Sequence, residues 1–373
     1  MSKIFYTLSG EGRGHAARVR AVIEELRKNH EVTIYTSAYA YQLLTPVYRH
    51  TEVEVRYIPC LHFHYGTQKK LNYWKTGWHG LRFITHLPHL VHKLQEDIET
   101  EMPDLIITDY EPALPRAARR CGVPFISLNH QHFLLTYDLN SLPRHLKRHV
   151  GLMAMVVRSY YSGQAETIVS SFYFPPLKPE CKNVTQIGVL LCPEIVQATT
   201  EQGRHIVAYL RRFASLSVLN AFEKCGCEIH IYGLGAQPSR GSLRFFGADK
   251  FRFVEDLATS RALISTAGNQ LVGEAIFLGK PVLAMPECGN FEQKINAYFL
   301  EKLNAGVAVE MEHLTTAHIL KFLESLDKFC PKIDRRRLYG NPMALGIINR
   351  YLSESSPEDD SMIPIRGKGE VAL

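Results

Sequence analysis

At 373 residues, 46% of them hydrophobic, the chain is long enough for two lobes and apolar enough to bury a core in each. No apolar run reaches the roughly eighteen residues of a membrane span, the N-terminus lacks the basic-then-apolar pattern of a secretory signal, and the eight cysteines are scattered without metal-ligand spacing. A cytoplasmic protein with reduced thiols is expected, with no disulfide framework and no zinc module; the net charge of +6 is modest and matters through its distribution.

In chain order, strands are predicted at 3–8, 31–36, 53–58, 104–108, 124–128 and 167–171, with helices over 15–29, 38–45, 80–101, 111–121 and 143–162. The alternation predicts a doubly wound parallel α/β sheet. Between the third strand and the third helix, residues 55–95 hold no Asp or Glu, while Arg56, Lys69, Lys70, Lys75, Arg82 and Lys93 stand among Tyr73, Trp74, Trp78 and Phe83. Such a field suits an anionic partner; no nucleic-acid module accompanies it, so nucleic acid is not expected, and an anionic membrane surface or phosphorylated lipid stands beside the plain reading of a solvated basic face. His86, His89 and His92 share helical spacing but lack neighbouring carboxylates, so no metal site is expected there.

A Pro-rich stretch, "FYFPPLKPECKNVTQIGVLLCPEI", breaks the periodicity and predicts an interdomain linker. A second alternating set follows, with strands "HIVAYL", "CEIHIYG", "FRFVE", "ALIST", "PVLAMP" and "GVAVE" and helices near 214–225, 256–261, 269–279 and 291–304. The resulting division is 1–174, linker 175–195, 196–334, a final helix 335–352 and a disordered tail 353–373. Two such lobes face each other across a cleft at their C-terminal strand ends.

Two segments carry candidate chemistry. "SGEGRGHAAR" sets Gly10, Gly12 and Gly14 between the first strand and first helix, with His15 at the helix start. The spacing is not Gly-x-Gly-x-x-Gly and "EVTIYTS" ends without a carboxylate, so no nicotinamide cofactor is expected. His15 there suits a general base, and equally a capping or packing role. In the second lobe Ser265-Thr266-Ala267-Gly268-Asn269 ends a strand and opens a helix, an anion site of backbone N–H groups suited to a diphosphate. Glu274 follows five residues on, placed to accept from vicinal ribose hydroxyls, and Glu292 and Gln293 start the next helix as partners for sugar hydroxyls. The plain alternatives are an exposed helix residue for Glu274, first-turn residues for the latter pair and an N-cap for Asn269. His130 in "SLNHQHF" follows a strand and is an acceptor-side candidate, beside the plain reading of a structural His; Asp109 and Glu111 in "TDYEP" also end a strand, without an assigned role.

These residues resemble the GT-B glycosyltransferases, nearest the branch of N-acetylglucosaminyl transferases that form the cell-envelope precursor lipid II and the wider UDP-glycosyltransferases. "GNQLVGEAIFLGKPVLAMP" and "FEQKINAYFLEK" are similar to that family's donor-site signature, and the Gly-rich segment to its N-terminal loop. The resemblance implies two Rossmann-like domains and a final helix crossing back to the first. Glu274 would hold the ribose, Gly268, Asn269 and Gln270 the diphosphate with Thr266, Gly12 and Gly14 beside it, and Glu292 and Gln293 the donor sugar. His15 would deprotonate the acceptor; Glu11 and Arg13 depart from the family's Gly-Gly-x-Gly-Gly-His loop, and Glu11 would assist or replace His15. Retaining members carry a second Glu eight positions before the first; here that position is Thr266, which implies an inverting transfer without cofactor or obligate metal. The implied partners are a nucleotide diphosphate sugar, UDP-linked by analogy only, and a glycan, lipid-linked or small-molecule acceptor, met peripherally at the inner face of the membrane. A nucleotide-sugar hydrolase and a non-catalytic nucleotide-sugar sensor are the competing classes.

Overall fold

The computed structural model describes residues 1–60, 73–211 and 214–354, the side chains of 73–82 excepted. Lys69 and Lys70 of the basic segment and the tail beyond 354 therefore lie outside the described residues, as do the side chains of Lys75, Trp74, Trp78 and Arg82.

The first lobe is built on β1 (Lys3–Leu8), β2 (Glu31–Thr36), β3 (Glu54–Tyr57), β4 (Leu105–Asp109), β5 (Phe125–Asn129), β6 (Glu166–Ser170) and β7 (Val184–Ile187), all parallel, in the order β3-β2-β1-β4-β5-β6-β7. The central strands β1, β4 and β5 are buried on both faces, which is why they read as apolar runs, whereas the edge strands β3 and β7 are only partly buried. Helices α1 (Arg13–Leu26), α2 (Ala38–Tyr48), α3 (Tyr73–Glu101), α4 (Ala113–Cys121), α5 (Phe133–Thr136) and α6 (Arg144–Tyr160) cover them. The stretch expected to be wholly linker contains β7, and the chain then runs through 188–192 into the short α7 (Pro193–Gln197).

The second lobe holds β8 (Ile206–Tyr209), β9 (Ile229–Tyr232), β10 (Gln237–Arg240), β11 (Leu243–Phe245), β12 (Leu263–Ser265), β13 (Val282–Ala284) and β14 (Gly306–Ala308), ordered β10-β11-β9-β8-β12-β13-β14. Its helices are α8 (Leu216–Lys224), α9 (Lys250–Thr259), α10 (Asn269–Phe277), α11 (Phe291–Lys302) and α12 (Thr316–Leu323). "FRFVE" is not a strand: residues 251–255 lie within α9, because Asp249 caps the N–H groups of Phe251 and Arg252 and the helix buries Phe253 and Leu257, one turn apart. The strands that pair beyond β9 are instead β10 and β11, an antiparallel pair.

After α13 (Arg335–Leu338), the last helix α14 (Asn341–Glu354) packs Ala344, Ile348 and Leu352 into the same core as Val19, Val22 and Leu26 of α1. Asn341 secures that return: its Oδ1 accepts from Leu191 N–H at 2.8 Å, and its Nδ2 donates to the carbonyls of Leu191 and Ala21.

Strand order locates the crevices. In the first sheet the winding reverses between β1 and β4, in the second between β8 and β12, and ligands of open parallel sheets bind beyond the C-terminal ends at such points. Those ends carry the Gly-rich turn, Asp109 and the Ser265–Gly268 turn.

Candidate active site

The turn after β1 is shaped by close approach. A Cβ on Gly10 would lie 2.2 Å from Ser37 Oγ, and Gly12 takes φ +85 as the residue before α1, so neither position accommodates a side chain without strain. The tight turn starts α1 at Arg13 and puts His15 in its first turn.

His15 Nδ1 lies 3.0 Å from Oδ1 of Asp109, ninety-four positions away, and the imidazole is 13% exposed while the carboxylate is fully buried. β1 and β4 are paired with Leu8 opposite Asp109, which delivers the carboxylate to the start of α1. Arg18, one turn after His15, spans Asp109 in a bidentate pair, Nε to Oδ2 at 2.9 Å and Nη2 to Oδ1 at 2.7 Å. Burial pushes the Asp109 carboxyl up, but Arg18 and then His15 outweigh it and hold the group below the usual carboxylate range. Asp109 is therefore ionised, and a neutral His15 that donates from Nδ1 keeps the lone pair of Nε2 for another proton. Glu11 sits half-buried in the turn between Ser9 and Gly12. Glu111 is structural, since its carboxylate accepts from Ala113 N–H, Leu114 N–H and Thr7 Oγ1 and so starts α4.

Across the cleft, Gly268 precedes α10, and the approach of the lobes is close enough that a Cβ on Gly14 would lie 3.6 Å from the Cβ of Gln270. Gln270 Nε2 donates to the Leu190 carbonyl at 2.7 Å and to Glu274 Oε1 at 3.0 Å. That leaves Gln270 Oε1 and Glu274 Oε2 buried with no hydrogen-bond partner, in a helix where Glu274 is only 2% exposed. Two neighbouring acceptor oxygens without donors are an unfinished polar pair, and a vicinal diol has the two O–H groups that would complete it.

The other expected donor residues are placed differently from one another. Thr266 is buried in the turn, beside Ala267, whose φ of +61 is a strained backbone for a residue with a Cβ. Asn269 reaches the first lobe, donating to the Ser170 carbonyl at 3.2 Å and accepting from Phe172 N–H. Gln293 is occupied within its own lobe: its amide donates to Glu287 Oε2 at 3.0 Å and accepts from Glu287 N–H at 2.8 Å. Glu292 faces the first lobe, where its charge acts on Arg18, Tyr110 and His130.

His130 has no exposed surface. Its Nδ1 is 3.1 Å from the Ser170 carbonyl oxygen and its Nε2 3.2 Å from Asn296 Oδ1, and burial lowers it to about 4. The ring is a strut between the lobes, the structural alternative for a His after a strand, rather than a group open to an acceptor. Asn296 also accepts from Tyr173 OH and donates to the Ala267 carbonyl, tying the strained turn to the first lobe.

Four further residues join the site: Asp109, which the sequence names without a role, Arg13, which it marks only as a departure in the Gly-rich loop, and Arg18 and Arg211, which nothing in the sequence singles out. Arg13 crosses the cleft with its guanidinium 4.0 Å from the Phe253 ring centroid, and Arg211 pairs with Glu287 at 3.6 Å. A groove of about 430 Å³ between Tyr137, Lys147, Lys178 and Glu180 shares no residue with this cluster, so the site rests on its charges and unpartnered oxygens rather than on cavity size. Among the described residues, His205, His230 and Asp256, and separately Glu310, Glu312 and His313, have ligand atoms close enough to share a cation; neither group includes a cleft residue named above. No helix of the described residues is long and apolar enough to cross a membrane.

Comparison with known proteins agrees with this architecture. Residues 2–327 match the family described as glycosyl transferase family 1. No curated protein matches by sequence. Among solved structures the chain is similar to LpCGTa in complex with UDP (TM-score 0.66, 16% identity, 95% of this chain and 100% of that one). It is also similar to CalG4, the calicheamicin glycosyltransferase (0.63, 17%, 95% and 99%), and to the glycosyltransferase VinC in complex with DTDP (0.59, 14%, 94% and 100%). Identities this low speak for the fold, whereas the family match spans most of the chain. The chain belongs to glycosyl transferase family 1: it is a glycosyltransferase with two Rossmann-like lobes in the GT-B arrangement.

Proposed function

We propose that the protein is an inverting transferase that moves a sugar from UDP to an acceptor hydroxyl, with His15 as general base. The observation that carries the reading is the pairing, across one cleft, of the His15–Asp109 couple with the two unpartnered oxygens of Gln270 and Glu274. The ribose diol donates to those oxygens. The diphosphate lies against the free N–H groups at the start of α10, with Gly12 and Gly14 allowing close approach from the other lobe. Asn269 and Gln293 act mainly by holding this frame, since their amides are already engaged, and Glu292 is the carboxylate left for a sugar hydroxyl.

In the transfer the acceptor O–H gives its proton to His15 Nε2 as the oxygen attacks the anomeric carbon. The bond from that carbon to the diphosphate oxygen breaks on the opposite face, and the leaving charge is met by α10 N–H donors. Asp109 stabilises the imidazolium through Nδ1. Absence of a carboxylate at position 266, eight before Glu274, supports inversion, and the UDP and DTDP complexes of similar folds support a pyrimidine nucleoside diphosphate. A thermal-shift series with UDP, dTDP, ADP and GDP tests this: UDP is expected to raise the melting temperature most, and equal response to all four would count against a uridine donor.

For the acceptor, one observation favours a lipid-linked substrate met at an anionic membrane surface, as in the lipid II-forming branch. Helix α6 has no acidic residue and carries Arg144, Lys147, Arg148 and Arg158, yet it exposes Leu152 (60%), Met155 (63%) and Val156 (47%). Basic residues around exposed apolar ones suit a peripheral protein at the cytoplasmic leaflet.

A further inference from the structure

Arg18 is a buried arginine, 3% exposed, on the same helix face as the base and one turn beyond it. Its guanidinium bonds both oxygens of Asp109, and the same Nη2 that donates to Oδ1 lies 2.9 Å from His15 Nδ1. A guanidinium has no acceptor, so with the Nδ1 proton directed at Asp109 this contact cannot be a second hydrogen bond; it sets a fixed positive charge against the ring. Among the described residues, the groups facing the cluster are Asp109 at the end of β4 and Tyr110 just after it, Tyr6 from β1, Tyr161 after α6, His130 after β5 and Glu292 from α11. Among these, Asp109 and Glu292 are the carboxylates, one from each lobe, and Arg18 lies in the field of both.

Two opposite effects then meet at His15. Asp109 favours the protonated ring and orients its neutral tautomer; Arg18 locks Asp109 in place and shares its charge, so that less of it is left for the imidazolium. We propose that Arg18 is the positioning residue of this centre, fixing the Nδ1–H tautomer of His15 through Asp109 and limiting how tightly the ring holds a proton it has taken. The inference rests on the reading of His15 as the base.

The test is a histidine-labelled NMR titration of the full chain without substrate, with the His15 resonance assigned from the His15→Asn spectrum. Arg18→Gln keeps a hydrogen-bond donor near Asp109 and removes the charge, and the His15 midpoint is expected to rise by about one pH unit, roughly tenfold in proton affinity. A folded Arg18→Gln whose midpoint is unchanged or lower overturns the proposal. Should that variant not fold, Arg18→Lys keeps the charge but cannot span both oxygens. Its ring nitrogen shifts should then show a smaller share of the Nδ1–H tautomer, and an unchanged share overturns the proposal equally. Both readouts are taken on ligand-free protein, so they stand or fall separately from nucleotide binding, whose absence would count against the proposed function alone.

Discussion

Replacing Glu274 by alanine should leave the stability of the free protein nearly unchanged and weaken its nucleotide complex. In the free chain Glu274 accepts one hydrogen bond, from Gln270 Nε2 at 3.0 Å, while its other oxygen is buried without a partner. Gln270 Nε2 keeps its bond to the Leu190 carbonyl when the carboxylate is gone. The lost bond is worth about 1.5–3 kcal/mol because its acceptor is charged, and relief of the unpaired oxygen returns about 1–3 kcal/mol, so stability should change little. In the proposed complex, by contrast, the carboxylate would accept from a ribose hydroxyl, and losing that charge-assisted bond would cost about 1.5–3 kcal/mol, or ten- to a hundredfold in Kd. Calorimetric titration with UDP, run beside a melting curve of each protein, measures both effects. A folded Glu274→Ala variant that binds UDP as tightly as the parent refutes the placement of the ribose.

Two further outcomes follow from the geometry. His130 is held neutral by burial, at about 4 against an ordinary 6.5, so the unfolded chain takes up a proton that the folded chain refuses. Its contribution to stability is present above pH 6.5 and is lost as pH falls toward 4, to a total of about 3 kcal/mol; urea denaturation across that range should show the decline, and His130→Gln should reduce it. At the surface, co-sedimentation with anionic vesicles at low salt should weaken in Leu152→Asp/Met155→Asp and on adding salt, whereas no binding by the parent chain at low salt would point to a soluble acceptor.

Much of this architecture is readable from local pattern, and the exceptions have physical causes. β1, β2, β4, β5 and β6 are apolar runs buried on both faces, which leaves a signal in the residues themselves. "FRFVE" alternates like a strand, but the Asp249 cap and the Phe253–Leu257 spacing prevail. β10, "QPSR", is polar and exposed, so nothing in its composition marks a strand, and β7 is concealed among prolines. The same distinction holds in the site. The glycines and His15 are neighbours in sequence and identify their own turn, whereas Asp109 becomes their partner only through the pairing of β1 with β4. Arg18 looks like any helix arginine until its burial against Asp109 is seen. Asn269, Gln293 and His130 have suitable chemistry for ligands, but sequence does not record that their polar atoms are already engaged by Ser170, Glu287 and Asn296.

The central claim is that chemistry belongs to the first lobe and nucleotide binding to the second. The turnover number of His15→Ala, taken at saturating donor and acceptor with the UDP Kd measured on the same preparation, tests it most directly. The account predicts a fall of about a hundred- to ten-thousandfold in kcat with Kd nearly unchanged, the usual contribution of a positioned base. Near-normal turnover in His15→Ala, with Glu11→Gln inactive instead, would contradict it.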